Sequence, residues 1–150
     1  MSTLSGPNPR RAFLLCLSVV VSLFPLAFSR SAHAVSSTVV IDQVYTTGGL
    51  PGATWRNDYV VLFDCGMTGS GLLGWALQFR DAAGGNWSVF PLSGSIAHGR
   101  YFLVKFGSSG VGGGVLPIVE DLAFDGFNGT SSGTWALVNS TTPLGVPCSP

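Results

Sequence analysis

The pattern nearest to catalytic chemistry is Gly129-Thr130-Ser131-Ser132-Gly133, which satisfies G-x-S-x-G. That motif activates its serine on a strained turn from strand to helix, with a histidine and an acid in reach. Here the following residues, from Thr134 and Trp135, read as a strand, and Asn128-Gly129 is ordinary turn chemistry. The only histidine after residue 34 is His98, in a turn ahead of Tyr101. A small serine hydrolase using Ser131 and His98 is the alternative reading; a plain surface loop is the preferred one.

Glu120, Asp121 and Asp125, with Asn128, form the one acidic cluster and the one calcium candidate. Carboxylates are the hard oxygen donors that calcium takes, but Phe127 occupies the second-ligand position of the loop spacing. Solvated loop acids explain the cluster as well. One histidine and two separated cysteines offer no zinc spacing. The run from Gly107 to Gly114 is glycine-rich, yet no Lys-Ser/Thr follows it, so it reads as a flexible loop rather than a phosphate cradle. No cofactor is expected. Asn86-Trp87-Ser88, Asn128-Gly129-Thr130 and Asn139-Ser140-Thr141 are glycosylation sequons, relevant only in a eukaryotic secretory pathway.

The elements that must hold these residues begin after a leader. Arg10 and Arg11 precede Ala12 to Phe28, an uncharged and mostly apolar run of 17 residues, and Ala32-His33-Ala34 supplies small residues at the positions a signal peptidase reads. Residues 1–34 are therefore expected to be a signal peptide cleaved before Val35, and the remainder to be secreted. Uncleaved, the run is at the short limit for spanning ~30 Å of hydrocarbon, and the membrane is a partner only in that case. Arg10-Arg11-Ala12-Phe13-Leu14 also fits a twin-arginine export signal, although an ordinary charged n-region explains it. Cys16 follows Leu15, where lipid attachment wants a small residue.

Without the leader, four basic residues (Arg56, Arg80, Arg100, Lys105) face seven acidic ones, a net charge near −3. That is no footprint for a phosphate backbone, so nucleic acid is not an expected partner. Cys65 and Cys148 remain; in an oxidising compartment they can pair, and two free thiols is the alternative.

Residues 35–150 are rich in Gly, Ser, Thr, Val, Phe and Trp, a composition of strands punctuated by turns. Leu73, Trp75, Leu77 and Phe79 alternate with Gly74, Ala76, Gln78 and Arg80, predicting a half-buried strand over 73–80. Thr38 to Tyr45, Tyr59 to Phe63, a short strand at Trp87 and Val89, Arg100 to Phe106 and Thr134 to Asn139 complete an all-β set. The expected fold class is an antiparallel β-sandwich or barrel. Trp75, Trp87, Trp135, Phe63, Phe79 and Phe102 are its core candidates.

Val39-Val40-Ile41-Asp42-Gln43-Val44-Tyr45, then Asn57-Asp58-Tyr59-Val60-Val61-Leu62-Phe63-Asp64, resemble the opening of a bacterial lamin-tail domain. The resemblance continues through Leu73 to Phe79, Trp87 to Leu92, Gly94 to Val104 and Trp135 to Asn139, covering about residues 38–148. It implies an immunoglobulin-like β-sandwich of secreted and surface bacterial proteins, sometimes found beside nuclease or phosphatase domains. Two departures stand out. Val61 occupies the place where the family usually has a Glu, and the family's last strand, with its Asp-x-Val-Gly-aromatic-Gly pattern, has no counterpart before Pro147-Cys148-Ser149-Pro150. A sandwich lacking its last strand is thus expected. The function expected is a non-catalytic module binding a protein, glycan or envelope component, or, failing a ligand, a purely structural envelope domain.

Overall fold

A computed structural model describes residues 36–108, 110–127 and 132–145. The expected signal segment, Ser131 and Cys148 lie outside the described residues. The described chain is all-β: β1 (Val39–Tyr45), β2 (Tyr59–Asp64), β3 (Ser70–Gly71), β4 (Ala76–Asp81), β5 (Ser88–Pro91), β6 (Ser95–Ile96), β7 (Tyr101–Lys105), β8 (Leu122–Ala123) and β9 (Gly133–Val138). A four-stranded sheet runs β1-β2-β7-β8, a three-stranded sheet runs β5-β4-β9, and β3 pairs with β6.

The two larger sheets form a sandwich because strict alternation sends one face of each into a shared core. From the first come Val39, Val60, Leu62, Phe102 and Val104; from the second come Leu77, with Phe90, Trp135 and Leu137 packed against them. Fully burying one such side chain contributes ~1.5–3 kcal/mol. Phe106, just past β7, closes one end. Its ring lies 4.9 Å from Phe90, 5.1 Å from Trp135, 5.5 Å from Phe127 and 5.7 Å from Phe124. Edge-to-face and offset aromatic pairs add ~0.5–1.5 kcal/mol each beyond their area.

Several expectations need correcting. The predicted strand over 73–80 starts at Ala76. Leu73 and Gly74 form a turn instead, because Gly74 sits at φ +87°. Leu72 takes the buried place, and Leu73 is 87% exposed. Phe63 is not core: it faces outward and packs on Tyr101 at 4.9 Å. Trp87 precedes β5 and stays outside the core, whereas Phe90 enters it. The register explains this, since Phe90 lies opposite inward-facing Leu77 while Val89 lies opposite Gln78. The pairing is not wholly antiparallel either. β8 runs parallel to β7, reached by a crossover through residues 106–121.

The glycine-rich stretch read as flexible is pinned along residues 110–114. Gly112 donates to the Gly49 carbonyl at 2.9 Å, Gly114 to Thr54 at 3.0 Å, and Arg56 donates back to Gly114 at 2.7 Å. Glycine is required there for close approach: a Cβ on Gly112 would sit 2.2 Å from the Leu50 carbonyl oxygen.

Candidate functional site

The outer face of the four-stranded sheet is the site the described residues build best. In β2, Val60 and Leu62 are fully buried, so Tyr59, Val61 and Phe63 point the other way. In β7, Phe102 and Val104 point into the core and Tyr101, Leu103 and Lys105 point out. β1 places Gln43 opposite Val61 and Tyr45 opposite Tyr59. A solvent-facing sheet surface ordinarily alternates to polar residues. This one is mostly apolar and aromatic, with Gln43 and Lys105 its polar members.

The crossover between β7 and β8 roofs part of that face. Leu116, Pro117 and Ile118 meet Trp55, Tyr59, Val61 and Leu103 around a shallow cleft of about 200 Å³. The roof is tied down by Asp121, whose carboxylate accepts the Leu103 N–H at 2.7 Å while its own N–H donates to the Leu103 carbonyl at 3.0 Å. Lys105 pairs with Glu120 beside it. Past the roof, Tyr101 (62% exposed), Ile118 (63%) and Val119 (86%) stand in solvent. Tyr45 and Tyr59 stack at 5.2 Å with their rings 13° apart. Their hydroxyls titrate in opposite directions. The Thr47 side chain and the Trp55 and Thr54 backbone bonds hold Tyr45 below the usual phenol range; burial pushes Tyr59 above it.

The acidic cluster is dispersed rather than convergent. Glu120 is engaged by Lys105, which lowers its carboxyl below the usual range, Asp121 serves the β7 edge, and Asp125 is exposed. Among the described residues, no three His, Cys, Asp or Glu side chains gather as a metal site. His98 directs Nδ1 at the Gly66 carbonyl in an exposed turn. Cys65 is exposed, its Sγ 3.3 Å from the Thr38 carbonyl; the Cys65–Cys148 pairing and the Ser131–His98 pairing both lie outside the described residues.

Sequence reasoning missed two buried carboxylates at the ends of β2. Asp58 accepts the Gly48 N–H at 2.7 Å, closing the turn after β1. Asp64 accepts the Gly66 N–H at 3.0 Å through Oδ1, and its Oδ2 has no partner among the described residues. Their signal was available: an acid on each flank of an apolar run. Both act on backbone turns rather than toward the outer face. It also missed Gln78, fully buried with its amide satisfied at both ends. Nε2 donates to the Thr142 carbonyl at 2.8 Å, and Oε1 accepts the Leu144 N–H at 2.8 Å.

No known family model matches the chain, and no curated protein is detectably similar to it.

Proposed function

We propose that this protein is a secreted, non-catalytic binding module of the immunoglobulin-like, bacterial lamin-tail kind, contacting a protein, glycan or other envelope component. The observation that supports this reading is the largely apolar outer face of the four-stranded sheet, with Phe63 half-buried against Tyr101, with Tyr101, Ile118 and Val119 exposed, and with Ile118 lining a shallow cleft. Exposed apolar surface of this kind marks interaction sites. Tyrosine and other aromatics supply large contact area at low conformational cost, as binding hot spots do. The charged, apolar, Ala-x-Ala order of residues 1–34 supports export.

Two measurements test the two halves. N-terminal sequencing of the protein from culture medium is expected to begin at Val35; a cell-retained chain beginning at Met1 contradicts export. Retention of envelope components on immobilised protein is expected to fall at least tenfold with Tyr101→Ser combined with Ile118→Ser. Equal retention by both forms removes the outer face from the account.

A further inference from the structure

Among the described residues, the two larger sheets end in four edge strands: β1 and β8 in one, β5 and β9 in the other. An unpaired edge invites another strand, and folded proteins ordinarily blunt it with brevity, charge, proline or a bulge. Three of these edges are blunted. β8 has two residues, β5 ends in Pro91, and β1 shifts register between Ile41 and Gln43, with Asp42 exposed at the shift. β9 runs six residues, Gly133–Val138, with no charge, no proline and no irregularity against β4.

Its free side can be assigned. Ala82 N–H donates to the Ser132 carbonyl at 2.8 Å, continuing the β4–β9 register. Antiparallel ladders alternate, so Thr134, Ala136 and Val138 turn their backbone groups toward β4. Gly133, Trp135 and Leu137 turn theirs outward. Beside that edge an open cleft of about 390 Å³ runs between Val39–Ile41 of β1 and Thr134–Leu137 of β9. No charged side chain lines it, although the domain around it carries a net charge near −3.

We propose that this cleft is an acceptor for one extended peptide strand from another protein, added to β9. The row of outward N–H and C=O groups selects an extended backbone, because only that geometry meets alternate residues at strand spacing. The neutral, apolar lining selects uncharged, small aliphatic side chains. Over the length of β9, about three alternate residues would enter the cleft. This surface meets the outer face of the four-stranded sheet at Val40, opposite Phe63, but it recognises main chain rather than an apolar patch.

The test is fluorescence anisotropy on the full chain with a labelled Thr-Val-Thr-Val-Thr-Val-Thr peptide. Two analogues are compared, one N-methylated on the threonine amides and one on the valine amides. Saturable binding is expected, with one analogue at least tenfold weaker and the other close to the parent. Thr134→Lys, on the exposed rim, is expected to weaken binding at least tenfold with unfolding temperature little changed. No binding, or equal binding by all three peptides, overturns the proposal. So does binding lost with Tyr101→Ser and kept with Thr134→Lys, which would assign the peptide to the outer face and leave the proposed function standing.

Discussion

The outer faces of the two sheets start from the same alternation and end differently. On the three-stranded sheet, Ala76 and Gln78 of β4 are fully buried, and residues 142–144 of the chain's own tail are hydrogen-bonded to Gln78. The Gln78 amide is what commits that face: it accepts one backbone N–H and donates to one carbonyl of residues 142–144. A polar group buried this way is costly to leave unpaired, so the tail is held in place. On the four-stranded sheet, most outward residues are apolar or aromatic, and although the crossover is fastened at Gly112, Gly114, Asp121 and the Lys105–Glu120 pair, Leu116–Ile118 meet the sheet through apolar contact. Apolar contact alone is non-directional, so that face can exchange one cover for another.

The comparison can be broken most forcefully at Gln78. Gln78→Leu leaves the Thr142 carbonyl and the Leu144 N–H without their partner under a covered surface, and about 2–3 kcal/mol of stability is expected to be lost in urea unfolding. Faster proteolytic cleavage near residues 140–145 should accompany it. Leu103→Ala comes next. Its side chain is 5% exposed between β7 and the roof, and its loss should cost about 2 kcal/mol while loosening Leu116–Ile118. Tyr101→Ser, mostly out in solvent, gives up the ring contact with Phe63 and should cost no more than about 1 kcal/mol while still reducing partner retention. A Tyr101 or Ile118 variant that destabilises as much as Gln78→Leu would erase the distinction between the two faces.

The smallest effect is pH dependence at the roof's margin. The Lys105 ammonium lowers the Glu120 carboxyl below its usual value, so this pair's contribution is complete above the ordinary carboxylate range. It is lost as pH falls through the lower folded value. As pH falls from the ordinary carboxylate range to below it, the parent should therefore lose slightly more stability than Glu120→Gln, measured by chemical denaturation across that range.

Much of the sandwich was legible in the residues, and the reasons for the misses are physical. The six expected strands are present in the fold because alternation of apolar and polar side chains matches the strand period. Tyr59 to Phe63, apolar on both faces, is indeed a central strand, flanked by β1 and β7. But apolarity on both faces does not say which is core, and Phe63 went to the outer side with Tyr101. Short elements such as β3, β6 and β8 are made by backbone pairing across loops and leave no periodic trace. Gln78 in the alternating pattern read as solvent-facing, since nothing local to it announces a tail 64 residues later. The candidate face was half legible: the loop acids and His98 drew the eye, whereas the exposed aromatics only became a surface once β2 and β7 were paired.

Hydroxyl-radical footprinting of the full chain, with and without envelope extract, tests the binding face most directly. Protection is expected at Phe63, Tyr101, Ile118 and Val119, with Met67 and Leu73, both exposed elsewhere, unchanged as internal controls. Unprotected Tyr101 and Ile118, or protection confined to Met67 and Leu73, would contradict it.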